Sequence, residues 1–493
     1  MIRLINYNYD KDSTIIRLLC ICVFIIFCNL ALIGSPINIV ITIPQYALVF
    51  YLLFKGDIKD ATLWHFTFIL LSQSSQSVLG MFDGQSYQMY NYGTIKLIGP
   101  VRACYFINIL LLLFVANKKE YFPKERLLYK LYKVMLYLAI SALIIGFSGL
   151  LFNPYYLFSA LVDNSIYMFV VITSIYILLC IADESVYRAA YYISICALMA
   201  APIGSVLSYT FLHTTITYGM YDDLILIADL VNFTPILLLG LLFEKKRKII
   251  LFSFLFYVYI LGMAVGGKTV FGIAFCAIAV LYFLFLDRET KVNYRKTVRI
   301  LKPFFVVVVI VVALDIARGG DSMAMYKINS AFSMFSGDLS EISRSPYIRV
   351  TSLINIIYEG IQNPFLLLFG NGYGGYFEDH FNFFEGMQLE NGAWGDADIA
   401  SGKFHSGHDT MVTAPLFNGM IGLCVLVIIS IQYIKRIKNN YLGAMAFLWI
   451  LLMFYANTLF AYNGVFILFA SEYNLNKVKE VNRFNSLTDM QTN

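Results

Sequence analysis

Charge is what this sequence is short of. Only 14% of its 493 residues are Asp, Glu, Lys or Arg, against roughly a quarter in a soluble domain, and that deficit excludes an ordinary soluble globular fold. Extended polar stretches are equally scarce: one long one interrupts the chain, residues 318–411. No H-E-x-x-H or comparable ligand set occurs, so no metal is expected. No G-x-G-x-x-G precedes a helix, so a dinucleotide site is not expected either. The eight cysteines (Cys20, Cys22, Cys28, Cys104, Cys180, Cys196, Cys276, Cys424) lie in or beside apolar runs and none falls in the polar stretch. A disulfide framework or thiolate cluster is therefore not expected. Internal repeats of the kind that build many transporters are absent. The first apolar run lacks a small-x-small cleavage site, and is read as a membrane helix and not a signal peptide.

What is there is apolar: 59% of residues, with 16% aromatic. Runs of about 20 apolar residues are long enough to cross a hydrocarbon core. They recur near 14–33, 37–54, 62–82, 97–116, 134–152, 164–182, 189–211, 224–243, 249–266, 269–286, 303–317, 412–433, 441–456 and 458–472. The expected fold is an all-α integral membrane protein of about 14 transmembrane helices (12 to 14), one polytopic domain over 1–493. The net charge of +5 does not point to nucleic acid, because the basic residues border apolar runs in short loops. Those loops include Lys118 to Lys133, Lys245 to Lys248, Arg288 to Lys302 and Lys435 to Lys438. Cytoplasmic loops carry such an excess. Threading from a cytoplasmic N-terminus puts all Lys and Arg there or at its edges except Lys96, Arg102, Lys268, Arg318, Lys327, Arg344, Arg349 and Lys403. Both termini then lie in the cytoplasm and 318–411 lies outside, between helices 11 and 12.

That outer stretch holds five basic and eleven acidic residues and three of the five histidines. Ser345-Pro346 reads as a helix start. Val350, Leu353, Ile354, Ile357 and Ile361 repeat at helical spacing until Asn363-Pro364 stops the pattern, which predicts an amphipathic helix on the bundle or on the membrane surface. Phe381, Phe383, Phe384 and Trp394 stand among carboxylates, a mixture that suits sugar rings and also a lipid-water interface.

Several residues invite chemistry, each beside a plainer role. Gly370-Asn371-Gly372-Tyr373-Gly374-Gly375 is either a tight turn that brings backbone against a neighbour or a ligand contact. His408 precedes Asp409 and the next apolar span, where a helix start favours an anion such as a diphosphate and disfavours protonation of an imidazole. His405 and His408, with His380 and Asp409, are too few and too interrupted by Ser406-Gly407 to predict a zinc site. Arg349 is a natural fork for phosphate oxygens, or a surface partner of Glu341. Lys268, Arg102 and Asp229 lie at membrane depth or its edge, where ionisable groups are functional or snorkelling.

The order of Arg349, Asn363-Pro364, the glycine turn, His408-Asp409 and then Gly419-Met420-Ile421-Gly422 resembles the O-antigen polymerase and O-antigen ligase superfamily. The motifs cover roughly 75 residues, and the many-span layout with one large periplasmic loop extends the similarity. The resemblance implies a bacterial inner-membrane glycosyltransferase of the C-type kind that needs neither metal nor cofactor. An undecaprenyl-diphosphate-linked oligosaccharide is the implied substrate, with a chain-length regulator and a flippase as neighbours in the same membrane. Arg349 and His408 are then the catalytic pair, Arg344, Lys268 and Arg318 bind diphosphate, and Tyr373, Tyr376, His405 and Asp409 contact the glycan. Asp409 stands where the family commonly has Asn, and Lys268 where many members have Arg. The acidic, aromatic loop favours polymerase over ligase. A flippase is the alternative of another class.

Overall fold

In the computed structural model, the structure describes residues 4–5, 7–9, 11–32, 35–72, 90–116, 127–212, 313, 344–384, 394, 396–407, 410–436 and 462–473. The expected spans at 224–243, 249–266, 269–286 and 441–456 lie outside the described residues, as do parts of those at 14–33, 62–82, 303–317 and 458–472. The described first half forms α1 (Asp12–Ala31), α2 (Asn38–Phe54), α3 (Ile58–Leu70), α4 (Ala103–Ala116), α5 (Leu127–Phe152), α6 (Phe158–Cys180) and α7 (Glu184–Leu212). Among the described residues, four helices are long and apolar enough to cross a membrane: Asp12–Ala31, Leu128–Phe152, Phe158–Cys180 and Thr410–Gln432.

The span expected at 97–116 is shorter than its apolar run. Gly99-Pro100 turns the chain into a small antiparallel hairpin, β1 (Lys96–Ile98) and β2 (Val101–Arg102), before α4 begins. α1 packs along α7, α5 along α6, and α4 against both α3 and α6. Polar side chains bind these helices across an apolar interior, where no hydrophobic force distinguishes helix from lipid. The Asn108 amide donates to Thr173 Oγ1 at 2.8 Å and Ser174 Oγ at 3.1 Å, and His65 Nδ1 lies 2.9 Å from the Tyr92 hydroxyl.

The two ends of α6 face different surroundings. At its C-terminal end Asp183 pairs with Lys59 and the amino-terminal residues join in, with the Ile5 N–H donating to Asp60 at 3.1 Å. The opposite end carries the second half of the described chain: α8 (Arg344–Gln362), α9 (Pro364–Phe369), β3 (Phe377–Glu378), α10 (Asp396–Ser401), β4 (Lys403–Phe404) and α11 (Thr410–Arg436). α11 packs on α5 and supports both α8 and α9.

α8 has the bounds its periodicity predicts, but its apolar stripe faces outward. Val350, Ile354, Ile357 and Ile361 are exposed, Ile361 to 69%, while Thr351, Ser352 and Asn355 are buried. An apolar outer face against a polar inner one suits a helix bordered by lipid on its outer side. Asn363-Pro364 ends one helix and also starts another. The Asn363 side chain accepts from the Phe365 N–H at 3.1 Å, with proline in the first turn of α9, as a helix N-cap requires.

Candidate functional site

The glycine turn is seated in a break in α11. Pro415 supplies no N–H, and Gly419, at φ 63° and ψ −168°, leaves helical geometry. The carbonyls ahead of such a break lose their partners in the following turn, and at membrane depth they must be satisfied within the protein. The glycine turn does this: Asn371 N–H donates to the Leu416 carbonyl at 2.6 Å and Gly372 N–H to that of Phe417 at 3.2 Å. On its other side Tyr373 N–H donates to the Ala142 carbonyl of α5 at 2.9 Å. Gly370, Gly372 and Gly374 all have positive φ, which glycine adopts without penalty. The fit leaves no room. A Cβ on Gly372 would lie 2.3 Å from the Gly146 nitrogen, and one on Gly419 would lie 2.3 Å from the Leu368 carbonyl oxygen. The Asn418 amide locks the break to α5 by donating to the Leu138 carbonyl at 2.8 Å and Ser141 Oγ at 3.2 Å.

The turn brings the loop onto residues 153–157, the connection between α5 and α6. Tyr156 hydroxyl donates to the Asn371 carbonyl at 2.9 Å, and Leu157 N–H to that of Gly374 at 3.0 Å. Above this seam β3 and β4 pair antiparallel, with Phe377 opposite Phe404 and Glu378 opposite Lys403. Alternation along the ribbon separates two layers. Phe377 and Phe404 stack at 5.3 Å and close, with Phe384 and Trp394, a buried aromatic core. Phe384 and Trp394, which the sequence offers as sugar platforms, are thus part of the packing, and Phe381 is the exposed ring.

The outward layer is polar. Lys403 Nζ pairs with the Glu378 carboxylate and lies 4.1 Å from the Tyr155 ring centroid and 4.8 Å from that of Tyr376, within cation–π range. The hydrogen bond to Glu378 raises the Lys403 pKa above its ordinary value, with burial opposing. His405 is buried between two acceptors: its Nδ1 lies 2.8 Å from Asp398 Oδ1 and its Nε2 lies 3.2 Å from the Tyr155 carbonyl oxygen. Burial opposes charge on the ring. The bonds to Asp398 and Tyr155 and the Asp398 charge outweigh it, and the pKa rises. Only an imidazolium donates from both ring nitrogens at once.

The inner face of α8 holds the same loop. Asn355 donates to Asp379 Oδ1 at 3.1 Å and accepts from the His380 N–H at 3.0 Å. Glu359 accepts from the Glu378 N–H at 2.7 Å and faces His380 Nε2 at 3.0 Å. Burial raises the Glu359 carboxyl above its usual range despite those bonds.

Of the residues expected to act, the structure brings Tyr376 and His405 together, with ring centroids 5.7 Å apart. Tyr373, expected to touch glycan, is 1% exposed and edge-on to Phe417 at 5.2 Å. The glycine turn directs it into the interior. Arg349 is half-buried on α8, and Arg344 is that helix's first residue. Lys268, Arg318, His408, Asp409 and Asp229 lie outside the described residues. Tyr155, Tyr156, Lys403, Glu378, Asp398 and Glu359 were not singled out from the sequence. One signal was present for Lys403, a basic residue left stranded on the outer side by the positive-inside threading. Comparison with protein-family models, curated proteins and solved structures returned no match.

Proposed function

We propose that this chain is a membrane-embedded glycosyltransferase, in kind an O-antigen polymerase. It takes a glycan from an undecaprenyl-diphosphate carrier and joins it to the next lipid-linked repeat at the periplasmic face of the bacterial inner membrane. The observation that carries the reading is the seating of the Gly370 to Gly374 turn in the Gly419 break of α11. Two motifs far apart in sequence are one contact, and it lies at the end of α6 that the charge threading assigns to the outside. Arg349, on a helix packed against α11, holds the diphosphate, with Arg344, Lys268 and Arg318 as further cations. His408 takes the proton from the acceptor hydroxyl as its oxygen attacks the anomeric carbon. The bond from that carbon to the diphosphate breaks, and undecaprenyl diphosphate leaves with the electron pair. Tyr376, His405 and Asp409 contact the sugars.

A broken membrane helix also occurs in transporters, where unwound backbone lines a substrate cavity. Here the freed carbonyls of α11 are occupied by the protein's own turn, which favours the enzyme. His408→Ala and Arg349→Ala in correctly inserted protein are expected to abolish surface glycan longer than one repeat, read on a gel of the extracted glycolipid. Unchanged glycan in both variants removes the proposed site.

A further inference from the structure

The first turn of α11 contains two threonines that no other feature of the fold explains. Thr410 and Thr413 are 5% and 2% exposed, and their hydroxyls find no hydrogen-bond partner among the described residues. Elsewhere in the bundle, buried helical threonines have a partner: Thr42 donates to the Tyr90 carbonyl at 2.8 Å, and four others return the hydroxyl to the carbonyl four residues back. Thr62 does so to Ile58, Thr67 to Leu63, Thr173 to Phe169 and Thr351 to Tyr347, all between 2.6 and 2.8 Å. Thr410 and Thr413 stand too early in their helix for that, because the residues four back, Ser406 and Asp409, precede its first turn.

Three residues apart, the two side chains share one face of the helix and tilt toward its N-terminus. Thr413 Oγ1 lies against the chain entering the helix: a Cβ on Gly407 would come within 2.3 Å of it. That entering segment is itself held, by Trp394 Nε1 donating to the Ser406 carbonyl at 2.8 Å and by His405 on Asp398. A buried hydroxyl without a partner destabilises a fold, so a pair of them at one place calls for an explanation. A helix N-terminus presents N–H groups and the positive end of its dipole.

We propose that Thr410 and Thr413, with the first-turn N–H groups of α11, seat a phosphate-type oxyanion. The inference rests on the carrier-lipid reading above and assigns the seat to the diphosphate of the donor or leaving group. Arg349 belongs to α8, and α8 packs on α11.

The test uses full-length protein in lipid nanodiscs, wild type against Thr410→Val/Thr413→Val and Thr410→Ser/Thr413→Ser. Binding of undecaprenyl diphosphate and of inorganic pyrophosphate is measured in parallel with thermal unfolding. The valine pair is expected to lose affinity for undecaprenyl diphosphate by about tenfold for each hydroxyl removed, with Tm unchanged or raised. The serine pair is expected to keep its affinity. Equal binding by wild type and the valine pair overturns the inference and leaves the transferase reading standing. A Tm that falls together with affinity also overturns it, because the hydroxyls then serve packing. Wild type that binds no undecaprenyl diphosphate overturns both. Pyrophosphate bound as tightly as the lipid keeps the oxyanion seat and assigns it to a soluble phosphate.

Discussion

His405 ties the loop to Asp398 and to the Tyr155 carbonyl with both ring nitrogens only while it carries a proton. With Asp398 on one ring nitrogen and the Tyr155 carbonyl on the other, a neutral ring gives up one of the two bonds. Its pKa is raised on folding, so the stabilisation is complete below the ordinary imidazole value of about 6.5. It is lost as pH rises through the raised folded value. Glu359 acts in the same direction, since a carboxyl raised by burial charges at a cost as pH increases. Lys403 reports on the clasp, being the one Lys or Arg between Arg349 and Lys435. Trypsin added from the outer side is expected to cut after Lys403 faster as pH rises from 6 to 8, beyond the change seen with an unstructured peptide. His405→Gln is expected to cut fast at both values. A wild-type rate that tracks the peptide would show that His405 does not hold the loop. Little of this cluster was legible in sequence, because Tyr155, Tyr376, Asp398 and Lys403 come from three separate segments and meet only when the loop folds back.

At the scale of elements, α8 and α11 divide what sequence patterning reveals from what it hides. The bounds of α8 follow from its 3.6-residue period and from Asn363-Pro364. Its orientation does not, since an apolar stripe is read as facing a core, and here the polar Thr351, Ser352, Asn355 and Glu359 face inward. The two breakers of α11, Pro415 and Gly419, are visible in an apolar run, but the turn that fills the break lies some 45 residues earlier. Gly372→Ala would bring a Cβ within 2.3 Å of the Gly146 nitrogen at a positive φ. Its expected cost is of order 3 kcal/mol, combining backbone strain with the displaced contact. A clear fall in Tm and a freely cleaved Lys403 are the readouts. Gly402→Ala, at positive φ but with open space around it, is the control and is expected to cost about 1 kcal/mol. Equal effects of the two would mean that the seat in α11 is not a tight one.

For the whole molecule, the charge distribution and the contacts describe the same two-ended object. Lys59, Asp183 and the amino-terminal residues gather at one end of α6, and the glycine turn, Tyr155 and His405 at the other. The positive-inside threading expects the first of these ends inside and the second outside. The number of spans was less legible in the sequence, because the hairpin at Lys96 to Arg102 and the short α4 occupy a run long enough to be read as one helix. Chain growth is the activity this arrangement is proposed to perform, at a site where an outer loop, an interfacial helix and a broken span meet. It is tested most directly with the purified chain alone, reconstituted in lipid and given undecaprenyl-diphosphate-linked repeat units, with products resolved by size. The account predicts a ladder of multiples of the repeat that disappears in His408→Ala. Repeats that remain single, in protein that still binds the carrier lipid, would contradict it.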